Sequence, residues 1–437
     1  MGVRSAARRR LARWAARRPH VLLVTAPGGT GARLAVEAQV RTRGGVLTGV
    51  PADADVLVVA GSPGSELADA ADLLWSQLPA PRIRVDVPDA AGAAAVLSEA
   101  IRRLAGTPDA GAGADVTEQV EPMSGHAHEH DGHGGHEDEA HEHGGMQMPS
   151  GHDHEGHGGH DDGGMQMPGG LMMADRAPDR DGLKLDVLHV ALGPVLPAWP
   201  SGLVMDVELQ GDVVQSAAAR VSAGSGGSAS CWTGEAAAGR RRAAAHLDSV
   251  GRLLEVAGWS GAADRARRLR DTLLTASAAV SGDAPAEVDR LHRRVEHSWG
   301  LRRSLAGLGR LGPGDVGRFG LSGPAARAAE DGGDAWARLR TWLAEAELAL
   351  AGRPVTPGEG PRGIPGHGSD ALVAAAAHLL PGLGLADARL VVASLDPDPD
   401  ELHATPAAGD QEPHPGHEGP ADHNMHGMHH QHDGDPA

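Results

Sequence analysis

From His20 to Leu104 the chain alternates between two hydrophobic rhythms. Short β-rich runs at His20–Thr25, Ala54–Gly61 and Arg82–Val87 are separated by stretches of helical spacing at Ala32–Val40, Glu66–Leu78 and Ala91–Leu104. That alternation predicts a three-layer α/β domain, a parallel sheet with helices on both faces. A second region opens with two strand-like segments, Leu183–Leu192 and Leu203–Val214, with Gly211-Asp212 as a turn signal. Helical patterns follow over Ala236–Ala257, Ala262–Ala279, Ala286–Leu308 and Ala335–Leu350. In them Leu247, Val250, Leu254 and Leu291, Val295, Leu301, Leu305 recur at helical intervals. Asp283 and Pro285, just before Glu287, mark a helix start, and the apolar run Ala388–Ser394 reads as a closing strand. The second region is therefore expected to be a mainly α-helical α+β domain.

Between the two regions the pattern disappears. Met123–Met173 holds eleven of the 26 histidines, ten acidic residues, no Lys or Arg, and two copies of Gly-Gly-Met-Gln-Met-Pro at 144–149 and 163–168. Such a segment has too little apolar surface to offset the entropy of ordering, and is expected to be a disordered His-rich tether. A shorter version, His414–His432, forms the tail. The expected division is a basic segment 1–19, an α/β domain 20–106, a tether 107–170, a second domain 171–402 and a His-rich tail 403–437. The two domains are expected to fold independently and to survive cleavage of the tether.

Composition changes this picture in three places. Lys184 is the only lysine, Asn424 the only asparagine, Phe319 the only phenylalanine, and tyrosine is absent. Arg therefore stands where other proteins use Lys, and an arginine alone is no sign of guanidinium chemistry. The formal charge of −19 is unevenly placed: 15 acids and no bases lie from Leu104 to Asp175, and 10 acids and no bases from Leu390 onward. Setting those 25 aside leaves 33 acidic against 39 basic residues. The acidity thus belongs to tether and tail, favouring solubility and cation attraction, and gives no sign of a nucleic-acid partner. The single cysteine, Cys231, excludes an intramolecular disulfide and a cluster held by four cysteines of this chain. No apolar run approaches the roughly 18–20 residues of a membrane span. The arginine-rich start lacks a signal-peptide core, so a cytoplasmic protein is expected, or one peripheral at the cytoplasmic face of the membrane.

Two candidate motifs read as ordinary structure. Gly28-Gly-Thr-Gly31 follows the first strand where a phosphate loop would sit, but lacks the Lys-Ser/Thr of a P-loop and the third glycine of a dinucleotide fingerprint, so it reads as a tight turn. His292 and His297, in an Arg-rich helix, read as surface or helix–helix residues. The tether carries stronger chemistry. His126, His128, His130, His133, His136, His141, His143, His152, His154, His157 and His160 come as His-x-His groups and Gly-His pairs, with Met146, Met148, Met165 and Met167 interleaved. His423, His426, His429 and His430 repeat the theme in the tail. Neutral imidazoles suit divalent nickel, copper and zinc, and thioethers favour Cu(I). Several similar sites of moderate affinity are expected.

Gly193-Pro-Val-Leu-Pro-Ala-Trp-Pro-Ser-Gly202 followed by Val204-Met-Asp-Val-Glu-Leu-Gln-Gly-Asp-Val213 resembles the opening of the large, quinone-site subunit of respiratory complex I, itself related to the nickel–iron hydrogenase large subunit. His246-Leu247, Leu301-Arg-Arg with Gly307-Leu-Gly, Gly320-Leu-Ser-Gly-Pro-Ala-Ala-Arg327, Gly358-Glu-Gly-Pro-Arg-Gly363 and Ala386–Asp396 continue the likeness in the same order. Ala54–Gly61 and Gln77-Leu-Pro-Ala-Pro-Arg82 are similar to the small, cluster-bearing subunit of the same enzymes. The resemblance implies a fusion of a small-subunit-like domain and a hydrogenase large-subunit-like domain.

It also implies that the chemistry is lost. The family's small subunit needs four cysteines, and here the turn that would supply a pair reads Gly28-Gly-Thr-Gly-Ala-Arg33. The histidine beside the quinone is replaced at Leu196, the second falls in Trp199-Pro-Ser201, and the quinone-site tyrosine cannot exist in a chain without tyrosine. No iron–sulfur cluster is expected. The family is one of oxidoreductases, but fold outlives chemistry. The resemblance points to a redox-silent accessory or assembly subunit of a complex I-like or hydrogenase-like NADH–quinone oxidoreductase assembly, with protein partners at the membrane. The alternatives are a nickel, copper or zinc buffering protein or metallochaperone on an old redox scaffold, and an oxidoreductase that borrows another chain's cluster.

Overall fold

The computed structural model describes residues 18–106, 175–178, 184–222, 230–232, 238–275, 282–353, 356 and 358–402. The first part opens with β1 (His20–Thr25), α1 (Thr30–Thr42), β2 (Val46–Thr48), β3 (Val56–Ala60), α2 (Ser65–Gln77), β4 (Ile83–Val87) and α3 (Ala93–Gly106). Its four strands pair in parallel in the order β2-β1-β3-β4. β3 is buried along its whole length, as a central strand covered on both faces must be. One face packs Val21, Val56 and Val58 against Val36 and Val40 of α1 and Leu97 and Ala100 of α3. The other packs Leu22, Leu57 and Val59 against Leu67 and Ala71 of α2. This is the expected three-layer α/β arrangement, with one strand more than the pattern showed. β2 is three residues long, too short for a period to register.

The second part begins with an antiparallel sheet, β5 (Asp175–Pro178), β6 (Lys184–Leu192), β7 (Leu203–Gln210) and β8 (Val213–Val221), paired in that order. Gly211, at φ +62°, makes the β7–β8 turn, a left-handed conformation that glycine adopts without steric cost. Nine helices follow among the described residues: α4 (Ala238–Val256), α5 (Ser260–Thr275), α6 (Ala284–Glu296), α7 (Trp299–Leu305), α8 (Pro313–Phe319), α9 (Gly323–Glu330), α10 (Ala335–Leu350), α11 (Gly368–Leu379) and, last, α12 (Leu385–Leu395), which together with α11 covers the sheet. α4 is central, burying Leu247, Val250, Leu253 and Leu254 against α5 and α10. Met205, Val207 and Leu209 of β7 pack on Leu372, Ala376 and Val391. Arg338 ties α10 to its surroundings from a fully buried position, donating to the carbonyls of Gly309 (2.9 Å) and Gly333 (2.7 Å) and to the Ser394 hydroxyl (2.7 Å). Burial pushes its guanidinium down to about 10.

Two sequence expectations are corrected. Ala388–Ser394 is helical, within α12, not a strand. Its residues from Leu390 to Leu395 are buried on every side, which erases the 3.6-residue period and leaves an apolar run that strand and helix share. Ala286–Leu308 is two helices, because Ser298 turns extended and its side chain accepts from Leu301 N, starting α7. α8, α9 and α11 were not anticipated. Among the described residues no helix is long and apolar enough to cross a membrane.

Candidate functional site

The two parts of the chain meet along α1. Arg33, Glu37 and Arg41 recur at four-residue spacing and so form one stripe of alternating charge. Facing them are Asp248 and Arg252 of α4 and Arg270 and Asp271 of α5. Arg270 is fully buried and pairs with Asp248 (2.5 Å), Asp271 (2.7 Å) and Glu37 (2.8 Å). Arg33 bridges Asp248 (2.7 Å) and Glu37 (2.8 Å), and Arg41 takes Asp271 at 2.5 Å. Arg252 extends the network from Asp248 (3.0 Å) to Asp396 (3.1 Å), and Arg362 closes on Asp396 at 2.6 Å. Burial alone would raise the carboxyls of Asp248 and Glu37. The guanidiniums outweigh it: Arg33, Arg252 and Arg270 hold Asp248, and Arg270 and Arg33 hold Glu37, well below the usual carboxylate range. Leu34, between Arg33 and Glu37 on the same helix, packs into the core around α4.

A second feature is the acidic segment after α12. Asp396 leaves the helix at φ +45°, and Asp396, Asp398 and Asp400 are all buried. Asp398 accepts from the Ser230 hydroxyl at 2.5 Å. Asp400 reaches the Gly-rich turn after β1, accepting from Thr30 Oγ1 (2.8 Å) and Gly28 N (3.1 Å). The turn needs its glycines for close approach: a Cβ on Gly29 would lie 2.5 Å from the Ala60 carbonyl oxygen. Burial, then the neighbouring Asp398, push the Asp400 carboxyl upward. Burial, then Asp400, push the Cys231 thiol up to about 11, so it stays protonated at neutral pH and makes a poor soft ligand. These acids belong to the packed structure, whereas the charge count placed them with the solvated acidity of the tail.

Beside the network lies a cleft of about 150 Å³. Leu23–Thr25 of β1, Leu47–Gly49 and the loop Pro194–Trp199 form its apolar walls, and Arg33, Glu37, Arg252, Glu255 and Arg267 its polar end. Leu196, Trp199 and Ser201, the positions where the resemblance would have histidines, line it. The Trp199 indole N–H is used by the Leu203 carbonyl at 2.7 Å. The cleft can admit an amphipathic ligand, but Arg33, Arg252 and Arg267 at its polar end are held by carboxylates.

No protein-family model matches the chain, and no curated protein matches it. Among solved structures, a chain of the membrane-bound sulfane sulfur reductase, described as an archaeal respiratory membrane complex, is similar over 49% of this chain and 98% of its own, at 16% identity and a TM-score of 0.39.

The turn Gly28–Thr30 offers no thiolate to an iron–sulfur cluster, and the nearby Cys231 thiol is raised and so a poor ligand for one. Among the described residues no group of three or more His, Cys, Asp or Glu is arranged to hold a metal ion. All nineteen histidines and methionines named as candidate metal ligands, His126–Met167 and His423–His430, lie outside the described residues. His292 sits between helices, its Nδ1 2.8 Å from Glu347 of α10, in keeping with its reading as a helix–helix residue. Sequence reasoning missed the charge network. Its one visible trace was the Arg33, Glu37, Arg41 spacing, which also fits an ordinary solvated helix face.

Proposed function

We propose that this chain is an accessory or assembly subunit, without redox chemistry of its own, in a membrane-associated respiratory or hydrogenase-like assembly. The resemblance implies a small-subunit-like and a large-subunit-like part fused in one chain, and in this structure the two parts meet along α1. The observation that carries the reading is what fills that junction: Asp400 occupies the donors of the Gly28–Thr30 turn, and buried ion pairs join α1 to α4 and α5. Leu196 and Trp199 line the cleft with groups that cannot exchange protons. What remains is a scaffold with surfaces. Trp299, 78% exposed at the start of α7, stands beside Arg302 and Arg303, an aromatic–arginine combination common at protein interfaces.

Affinity purification of the tagged chain from its native cells tests this. Cluster-bearing subunits of one membrane assembly should copurify, and Trp299→Ala with Arg302→Glu should release them while leaving the chain folded. Stoichiometric iron and sulfide in the isolated chain, or quinone reduction by it, would overturn the reading. So would recovery of the chain alone.

The second reading, a metal-buffering or delivery protein, is favoured by the His-x-His spacing of the tether. It and the first reading are separable, because it predicts metal in the eluate without respiratory partners.

A further inference from the structure

The middle of the helical part contains buried polar atoms that have no hydrogen-bond partner among the described residues. Arg242 and His246 lie one turn apart on α4, Arg327 on α9, Glu345 on α10, and Arg362 in the segment before α11. Several of their atoms are well used. Arg242 donates to the Glu359 carbonyl; Arg327 donates to Glu345 Oε1 (2.7 Å), Glu359 Oε2 (2.6 Å) and Thr356 Oγ1 (3.2 Å). Arg362 donates to Asp396 Oδ2 at 2.6 Å. Left over, buried and without an acceptor or donor, are Nη1 of Arg242, Nη2 of Arg327, Nη1 of Arg362, both ring nitrogens of His246, and Oε2 of Glu345. His246 Nε2 and Glu345 Oε2 are 3.4 Å apart but not aligned for a hydrogen bond.

The imbalance has a sign. Guanidinium nitrogens only donate, and a neutral imidazole gives one donor and one acceptor. The unpartnered set is therefore rich in N–H groups and poor in acceptors. A buried donor left without an acceptor is costly, so a cluster of them in one place calls for an acceptor from outside the chain. The local potential is positive as well. His246 is held well below its ordinary value by burial first and then by Arg362, Arg242 and Arg327. Burial itself disfavours any charge, but the three guanidiniums that also oppose a proton on that imidazole favour an anion beside it. The acids nearby offset part of it, Glu359 on Arg327 and Asp396 between Arg362 and Arg252, whereas Arg242 forms no ion pair among the described residues. Glu345 opposes an anion with its free oxygen, but burial raises its carboxyl toward the protonated form, which donates.

We propose that His246, Arg242, Arg327 and Arg362 form a binding site for a small inorganic oxyanion of phosphate or sulfate size. Water would satisfy some of these donors but not their charge, and a tetrahedral oxyanion offers several acceptors at once. The unpartnered nitrogens are buried, which argues against the terminal phosphate of a bulky ester. The inference stands apart from the accessory-subunit reading, because it concerns the interior of the helical part.

Calorimetric titration of the full chain with phosphate and with sulfate at pH 7.5, in chloride buffer of constant ionic strength, tests it. One saturable site is expected, with a matching rise in melting temperature. Arg242→Gln, which keeps a donor for the Glu359 carbonyl, should weaken binding about tenfold, as should His246→Gln. Arg84→Gln on the surface should not. A phosphomonoester such as glycerol phosphate should compete poorly; equal competition would move the assignment from a free ion to a phosphorylated metabolite and overturn the inorganic-ion proposal. Should Arg242→Gln unfold the chain, NMR of the His246 imidazole decides instead, because phosphate should raise its titration midpoint. No saturable binding, binding unchanged in both variants, or ordered waters alone at the cluster in a phosphate-soaked crystal would each overturn the proposal.

Discussion

Arg270 illustrates how much one side chain carries in this molecule. It is 0% exposed and touches three carboxylates from two parts of the chain. Replacing it with Met should cost about 3–5 kcal/mol, mainly because Glu37 and Asp248 would stay buried with one guanidinium fewer to offset their charge. Urea unfolding checks this, with Arg84→Ala as the control: its pair with Asp72 is half-exposed and should contribute under about 1 kcal/mol. His246 makes the pH prediction. Its folded-state value lies well below the ordinary 6.5, so the unfolded chain takes up a proton that the folded chain refuses. Its contribution is therefore complete above about pH 6.5 and is lost as pH falls toward the folded value, by up to about 1.4 kcal/mol per pH unit. Buried Asp400 and Glu401, whose carboxyls are raised, act in the opposite sense at lower pH, so the difference between wild type and His246→Gln isolates the histidine. Unfolding in buffer free of multivalent anions should show a shallower slope for the variant between pH 6.5 and 5.5. Parallel profiles would contradict the burial argument.

Elements were legible in proportion to how one-sided their environment is. β1 and α10 fall where the pattern puts them, because β1 is a short apolar run bounded by turn signals and α10 opens at the Asp334 cap. α12 was misread because full burial removes the contrast between faces. α8 and α9 have only seven and eight residues, with Pro313 and Pro324 near their starts, too few for a period to form. The break between α6 and α7 was hidden because apolar spacing runs on through Leu301 and Leu305 while the backbone turns at Ser298. That cap gives an element-scale prediction. Ser298→Ala should destabilise by about 1 kcal/mol, and Ser298→Gly by only a few tenths, since glycine tolerates the cap conformation. Thermal melts of both variants check it, and equal losses would mean the hydroxyl is not the cap. Of the candidate sites, the cleft loop 193–202 was visible through its resemblance, whereas the buried cluster was not. Arg242, Arg327 and Arg362 are scattered over 120 positions in an arginine-rich chain, and only the fold brings them to His246.

At the scale of the whole molecule, two claims need different measurements. The histidine segments should bind Ni(II), Cu(II) or Zn(II), most of it lost on deleting residues 125–164 and the remainder held by 414–432. Affinity should fall steeply below about pH 6, because an imidazole must lose its proton to bind. Unchanged stoichiometry in the deletion would put the sites elsewhere. The second claim replaces the independence that tether and composition led one to expect. Leu34 sits in the core of the helical part, and Arg33, Glu37 and Arg41 have partners on α4 and α5. Separating residues 18–106 from 171–437 would strip Arg33, Glu37 and Arg41 of their partners on α4 and α5, uncover Asp248 and Arg270, and expose the turn that Asp400 holds. Each half made alone should therefore lack a cooperative transition near that of the intact chain, while the two made together should reassemble. Cutting the tether by limited proteolysis should leave both fragments eluting as one species on gel filtration at moderate salt. Fragments that separate freely, each melting where the intact protein melts, would show that the ion network joins two stable bodies without stabilising either.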